Sequence, residues 1–470
     1  MPRFLGLAVV LSLPLAFGLA GCSSDSSPSG SGGSGGAGGG TPRACDVAVS
    51  DGTRDCVSLV SEAWASCYAD SNAPCSTDDA DIAAALAQLE SDVQASCTDG
   101  EFLSLSVDAL VGRVQNSCRS EADAIAWRTY GGPQGAVYPS ASGAQKSCLS
   151  SAHDAASGLV DRSLAAINTC LAGESCDATA LEAERATFAD EATTEVEDAC
   201  GDVVLGDVIA VSPAQYIDRA VEQVDCVTAT VHADTGDLSL RCGPSNAEFE
   251  MTRGEWVRIR VDGDKWGTMC GDRSGYSFWV KFAPEGEPLD RVLVGLQGGG
   301  VCVLEPDCDA RLMSAPGLFT AEDDEPLGAG IASDDPEISP FSSWTQVYLP
   351  YCNQDVFAGG GVFEFPDGLN LPRYGTVNLR AAVRMVRDVL WREMDAEGGA
   401  GIRPDELIAL FGGWSAGGYG ALYNYHFFLD DLLWPRTIAF PDAGGALDNG
   451  ETFGVKLLGA LKIPVDGGWG

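Results

Sequence analysis

The stretch GGWSAGGYG, residues 412–420, carries the densest chemistry in the chain. Within it Gly413-Trp414-Ser415-Ala416-Gly417 is a strict G-x-S-x-G. A serine on a sharp strand-to-helix turn can attack an acyl carbon. Such a turn needs a small residue on each side of the nucleophile, because bulky side chains would clash there. The peptide dipoles of the following helix favour negative charge developing at its N-terminus. Acyl transfer also needs two backbone N–H donors aimed at the oxyanion. Ala416, directly after the serine, would give one. The loop Gly298-Gly299-Gly300 would give the other, from Gly299 or Gly300. A phosphate-binding reading of that loop has less behind it, because GGGVC lacks both G-x-G-x-x-G and a Walker lysine.

A serine nucleophile needs a base within hydrogen-bond reach and an acid to orient the base. The histidines are His153, His232 and His426. Along one straight helix His426 would stand roughly 16 Å from Ser415, too far to act as base. Asp442 follows the next strand, a position from which an acid can act. His153 or His232 would have to reach the site from outside the fold that carries Ser415. His153 itself reads as a surface or cap residue in an amphipathic stretch.

The elements around these residues alternate. Residues 292–297, 345–351, 406–411 and 437–440 read as strands. Residues 376–394 read as a helix with Leu379, Val383, Val386 and Leu390 on one face, and an apolar helical stretch starts at Ala421. Strand–helix alternation predicts an α/β fold with a parallel sheet, occupying residues 256–470.

The front of the chain is different. Residues 1–22 form an export signal: Arg3, an apolar run from Phe4 to Ala20 interrupted by Pro14, and Leu19-Ala20-Gly21-Cys22. That ending is similar to a bacterial lipobox, which implies a lipid on Cys22. Ser23 and Ser24 resemble an outer-membrane sorting signal. Residues 23–43 are a Gly/Ser linker with a mean reach of about 25 Å. Of 17 cysteines, Cys22 is spent on lipid, and the even remainder reads as a disulfide framework. No C-x-x-C occurs, so a metal reading has no support. Cys45, Cys67, Cys75, Cys97 and Cys118 recur at nearly the intervals of Cys148, Cys170, Cys176, Cys200 and Cys226. Ile82, Leu86, Leu89 and Val93 share a helical face, as do Leu181, Phe188, Ala192 and Val196. Residues 44–225 therefore read as a helical, cysteine-rich domain of two related halves. The alternating run at 226–242 predicts a β-hairpin within a connection at 226–255, with Cys226 facing Cys242. The formal charge of −40 excludes nucleic acid as a partner and disfavours polyanionic substrates.

Four stretches together resemble the pectin acetylesterase and Notum family of carboxylesterases: CGDRSGYSFWVK (270–281), LQGGGVCVLEPDC (296–308), WTQVYLPYCNQDVFAGG (344–360), and GGWSAGGYGALYN with FPDAGGALDN (440–449). The resemblance implies an α/β-hydrolase-like sheet behind an all-α, disulfide-rich domain. It implies Ser415 as nucleophile, Gly299, Gly300 and Ala416 as oxyanion donors, and disulfides Cys302–Cys308 and Cys270–Cys352. No cofactor is expected. Arg273 stands where glycine is usual, Gly300 and Val301 where many members carry aromatic residues, and Phe357 where relatives have histidine or tryptophan. Asp355 reads as structural. In the family, acid and histidine follow the segment around Asp442, so the sheet reads as incomplete C-terminally and the chain as a fragment. The expected function is ester hydrolysis on acetylated glycan or acyl ester, by a protein exported and held at the membrane by its lipid. The alternative is an inactive surface lipoprotein that binds a glycan or a protein.

Overall fold

The computed structural model of the chain describes residues 44–442, apart from 71–78, 131–136, 397–407, 433–435 and a few single positions. The export signal, Cys22, the linker, Cys75 and residues 443–470 lie outside the described residues. From Ala44 onward the described chain forms one compact unit.

Seven helices come first: α1 (Ala44–Asp70), α2 (Ala80–Ser96), α3 (Val107–Tyr130), α4 (Gly143–Ala172), α5 (Ala178–Cys200), α6 (Leu205–Ile209) and α7 (Pro213–Val231). Their starts are written locally. Ser142 and Gln145 form a reciprocal capping box on α4, and Ser212 and Gln215 form one on α7, with Pro213 in the first turn. Each box satisfies two amides that the helix cannot bond itself. The face of α2 expected from the sequence is buried through Ile82, Leu89 and Val93. Cys45–Cys97 and Cys148–Cys200 tie α1 to the end of α2 and α4 to the end of α5, each across 52 residues. Cys56–Cys118 and Cys170–Cys176 add two further staples. No described helix is long and apolar enough to cross a membrane.

The hairpin expected at 226–242 is not there. α7 continues to Val231, and residues 223–231 are buried all round. The β-branched run that reads as a strand is instead a fully enclosed helical turn, because burial overrides intrinsic preference. The hydroxyls of Thr228 and Thr230 donate to the carbonyls four residues back, at 2.8 and 3.0 Å, so they stay satisfied inside the helix. Cys226 does pair with Cys242, but from a helix to the segment after it. His232 thereby becomes the C-cap of α7.

The second layer contains β1 (Val257–Arg260), α8 (Gly263–Trp266), β2 (Ser277–Lys281), β3 (Arg291–Leu296), α9 (Glu305–Ser314), β4 (Thr345–Leu349), β5 (Gly361–Glu364), β6 (Asn370–Arg373), α10 (Gly375–Ala396), β7 (Ile408–Trp414), α11 (Ala416–Tyr423), α12 (Tyr425–Leu432) and β8 (Arg436–Asp442). The main sheet has the order β1-β2-β4-β3-β7-β8. β4, β3, β7 and β8 are parallel, while β1 and β2 run antiparallel at one end. β5 and β6 pair separately. This is the expected α/β architecture with a mostly parallel sheet. The chain goes from β3 to β4 on one side and crosses back through α10 to β7 on the other. At such a switch point a crevice opens beyond the carboxyl ends of the strands. The apolar residues form two main clusters, one from Cys45 to Cys242 and one from Ile259 to Leu432, with Trp391 of α10 packed into the first.

Candidate active site

The loops after β3, β4 and β7 meet at the switch point. β7 ends at Trp414 and α11 begins at Ala416, leaving Ser415 alone between strand and helix with φ +55° and ψ −119°. A non-glycine residue in this region is strained by about 1–3 kcal/mol. The Ser415 residue is exposed at this turn. Its N–H donates to the Asp442 carbonyl at 3.0 Å, and its carbonyl accepts from Tyr419 N–H at 3.2 Å. The backbone of Ser415 is therefore clamped by β8 and α11.

The two glycines of the motif are required by contact. A Cβ on Gly413 would lie 2.6 Å from Gly417 backbone and 2.7 Å from the Leu296 carbonyl oxygen. A Cβ on Gly417 would lie 2.2 Å from that same oxygen. α11 thus starts directly against the end of β3, and the amides of Ala416 and the next residues have no intrahelical acceptor. The Gly-rich loop is fitted against the same point. A Cβ on Gly298 would strike the Trp414 carbonyl oxygen at 2.6 Å, and one on Gly299 the Tyr351 ring at 2.7 Å. Gly300 has φ +74° and is exposed. The glycine loop 298–300 and the turn from Trp414 to Ala416 thus abut one another.

Residues that carry no sequence signal hold this loop. Gln297 donates its own amide to the Leu349 carbonyl at 3.1 Å and accepts the Tyr351 N–H at 2.6 Å. Its side-chain nitrogen donates to Asp324 at 2.9 Å. Arg373, fully buried, donates to the carbonyls of Cys302 at 2.8 Å and Asn353 at 3.1 Å. Disulfides Cys302–Cys308 and Cys270–Cys352 close the same region, in the pairing expected. Asp355 accepts from the amides of Phe357, Gly359 and Gly375 at 3.0, 3.2 and 2.8 Å. Burial raises its carboxyl above the ordinary value, and Arg373 and the three amides oppose that rise. It is a structural anchor. Phe357 stacks on Tyr351 and packs under Gly420 of α11. Only the pattern of buried arginine and glutamine distinguishes these supports, and that pattern needs the fold to be seen.

The partners of Ser415 are a different matter. Among the described residues nothing hydrogen-bonds its hydroxyl. Asp442 is exposed, and it meets Ser415 through its backbone carbonyl. His153 is not a surface residue: it is 1% exposed inside α4, with its ring 5.3 Å from that of Tyr130. Packing against Tyr130 of α3, rather than amphipathic spacing, accompanies its burial. His232 Nε2 is bonded to Asn168 Oδ1 at 2.9 Å, and burial lowers its pKa to about 4. Both rings lie within the helical layer, His232 bonded there to Asn168, and neither is bonded to Ser415. His426 falls in α12 beyond a break at Asn424, so the straight-helix distance does not apply, and its side chain lies outside those described.

Known proteins match this part of the chain. Residues 257–460 match the pectinacetylesterase family. The palmitoleoyl-protein carboxylesterase notum1 of Xenopus laevis is 28% identical over 188 residues, 38% of this chain and 35% of the relative. Human NOTUM, of the same name, is 28% identical over 190 residues, 38% of this chain and 34% of the relative. A zebrafish (Danio rerio) protein named inactive palmitoleoyl-protein carboxylesterase notum1b is 33% identical over 93 residues, 19% of this chain and 65% of the relative. The chain spans about a third of the length of the two carboxylesterase relatives. Residues 257–460 thus carry a domain that matches the pectinacetylesterase family and is similar in sequence to the Notum carboxylesterases.

Proposed function

We propose that the protein is a serine carboxylesterase with Ser415 as nucleophile. Ser415 Oγ attacks an ester carbonyl carbon, and the carbonyl oxygen becomes an oxyanion. Amides of Ala416 and of Gly299 or Gly300 hold that oxyanion. The alcohol leaves with a proton, and water then hydrolyses the acyl-enzyme. The observation that carries this reading is the exposed serine at φ +55° between β7 and α11, against which the Gly-rich loop packs. Strain of this kind is kept where it positions a reacting group. Asp442 is the candidate acid. The base is the one part of the machinery that the described residues do not supply.

The substrate is an acetyl or acyl ester on an uncharged carrier, since a net charge of −40 repels polyanions. Several features support an exported protein, lipid-anchored through Cys22 to a membrane, the outer one by its Ser23-Ser24 pair. These are the signal-like segment 1–22, the linker 23–43 and the dense disulfides. Residues 44–225 then form a helical unit of two related halves, supported by Cys45–Cys97 and Cys148–Cys200 closing equal loops. Residues 256–470 form the esterase unit.

A fluorophosphonate probe tests the reading. The wild-type chain is expected to be labelled and Ser415→Ala not, with turnover of a nitrophenyl acetate or longer acyl ester following the same pattern. Equal labelling of both chains, or folded wild type with neither labelling nor turnover, would overturn it and favour the glycan- or protein-binding alternative.

A further inference from the structure

The glycine loop between β3 and α9 is tied by its backbone only at its two ends. Gln297 N–H donates to the Leu349 carbonyl at 3.1 Å, and Cys302 N–H donates to the Gln354 carbonyl at 3.4 Å. Among the described residues no backbone–backbone hydrogen bond involves residues 298–301. That leaves the amides of Gly299 and Gly300 open to an oxyanion. It also leaves three successive glycines with the widest conformational freedom a chain allows. Side chains must therefore hold their peptide planes. Two that the chemistry at Ser415 does not otherwise use lie against them. Gln354, 0% exposed in the loop after β4, places Nε2 3.5 Å from where a Cβ of Gly299 would stand. Arg311 of α9 places Nη1 3.2 Å and Nη2 3.9 Å from the Cβ position of Gly300, the residue that turns the loop at φ +74°.

We propose that Arg311 is a positioning residue: with Gln354 it braces the glycine loop and so fixes the amides of Gly299 and Gly300. The two side chains are joined, Arg311 Nη1 donating to Gln354 Oε1 at 3.1 Å. Arg311 Nε donates to Asp307 Oδ1 at 3.1 Å, one turn back on α9. The contact with Asp307 alone would be a surface ion pair of small worth. The bond to Gln354 is of another kind, because it draws the guanidinium inward across 43 residues of chain to a side chain with no exposed surface. Gly299 is then backed by Gln354 and Gly300 by Arg311, in one bonded unit. Gly300 is itself exposed, so no enclosing core does this work at its position. An arginine suits the task because its planar fork reaches Asp307 and Gln354 at once while its edge covers Gly300. A lysine ends in a point charge on a flexible stem and cannot do all three.

The inference rests on the esterase reading for its chemistry, but the brace can be read without turnover. Backbone nitrogen relaxation at Gly299 and Gly300 in the whole chain reads the brace. The rate of fluorophosphonate labelling and the kinetics on nitrophenyl acetate read its effect. Both glycines should have order parameters of about 0.85 in the wild type and below about 0.6 in Arg311→Ala. Arg311→Ala should label on the order of 100-fold more slowly, the cost of misplacing a reacting group by about 1 Å. Its kcat should fall while KM stays near the wild-type value, as for an interaction made in the transition state. Its Tm should also stay near wild type, because the side chain is 32% exposed and alanine is a strong helix former. Arg311→Lys should label as slowly as Arg311→Ala, and added guanidinium ion at a non-denaturing concentration should speed labelling of the alanine variant alone. Wild-type order parameters in Arg311→Ala would overturn the brace whether or not the chain is labelled. A wild-type rate in Arg311→Lys would overturn it as well, by assigning the effect to charge, and so would a raised KM with unchanged kcat. An unlabelled wild type whose glycines still loosen in Arg311→Ala would sink the esterase reading and leave the brace standing.

Discussion

Gly417→Ala tests how Ser415 is held. The added Cβ would sit 2.2 Å from the Leu296 carbonyl oxygen, 2.7 Å from its carbon and 2.9 Å from the Gln297 oxygen. All three are backbone atoms at the end of a central strand, so none can swing aside as a side-chain tip would. Ordinary contact begins at 3.4 Å. The start of α11 would have to retreat by about 1.2 Å, carrying Ser415 and the Ala416 amide with it, and a displacement of about 1 Å at reacting groups costs on the order of 100-fold in rate. Overpacking costs about 1–3 kcal/mol, and more where backbone must move, so about 3 kcal/mol is expected here. In a unit spanning Gly40–Gly470 that lowers Tm by roughly 3–4 °C, at about 2.1 cal/mol/K of unfolding entropy per residue. Differential scanning calorimetry and the rate of fluorophosphonate labelling read the two effects separately. Gly275→Ala is the control, because its Cβ would have no neighbour within 4 Å. If Gly417→Ala melts and labels like Gly275→Ala, α11 does not start against β3, and the reasoning about the elbow fails.

Three other outcomes follow from the same structure. Ser415→Gly should abolish labelling yet raise Tm by about 1 °C, because glycine relieves a backbone strain that exceeds its own entropic cost by about 1 kcal/mol; an unchanged or lower Tm would show that the position is unstrained. Burial alone would push the Glu222 carboxyl up, but Arg219, Arg384 and Arg387 outweigh it and hold the carboxyl down to about 2, while Arg380, Arg384 and Arg219 hold buried Asp431 lower still. Both folded-state values lie below the unfolded ones, so this stabilisation is complete above about pH 4.5 and is lost as pH falls toward 2, and Asp431→Asn should flatten that part of the Tm–pH curve while lowering Tm at neutral pH by the equivalent of about 3–5 kcal/mol. Replacing Cys148 and Cys200 together by alanine opens a 52-residue loop and should cost about 4 kcal/mol by chain entropy, read as a lower melting transition of the helical layer.

The sequence makes the catalytic half readable because its constraints are local. Gly413 and Gly417 are small since backbone crosses backbone at the elbow, and that need appears as a motif within a few residues. The strands at 292–297, 345–351 and 406–411 and the helix at 376–394 declare themselves by runs and by period. The connection at 226–242 fails for the converse reason: Val-Thr-Ala-Thr-Val alternates like a strand, but it lies in a helix enclosed on all sides, where period carries no information. His153 escapes in the same way. Arg373 and Gln297 escape because a buried polar side chain that cradles a loop looks, in sequence, like any other polar residue. The cysteine intervals anticipate two equal units, but the pairing of Cys45 with Cys97 and of Cys148 with Cys200 emerges only from the fold.

One helix ties the two layers together. α10 turns Leu379, Val383, Val386 and Leu390 into the core beneath the sheet that presents Ser415. Its other side belongs to the helical layer. Trp391 packs into that layer's core. Asp388 accepts the Gly243 amide at 3.0 Å and the Asn246 side chain at 2.9 Å, just beyond the Cys226–Cys242 disulfide. Arg384 bridges Glu222 of α7, at 3.0 Å, to Asp431 of α12, at 2.8 Å. Without α7 and residues 242–246, Asp388 would be left buried beside Arg387 alone, and Arg384 would lose one of its two carboxylates. Trp391 would face water. An uncompensated buried charge costs several kcal/mol, of the order of a domain's whole stability. The helical layer is therefore a structural flank of the sheet that holds the elbow.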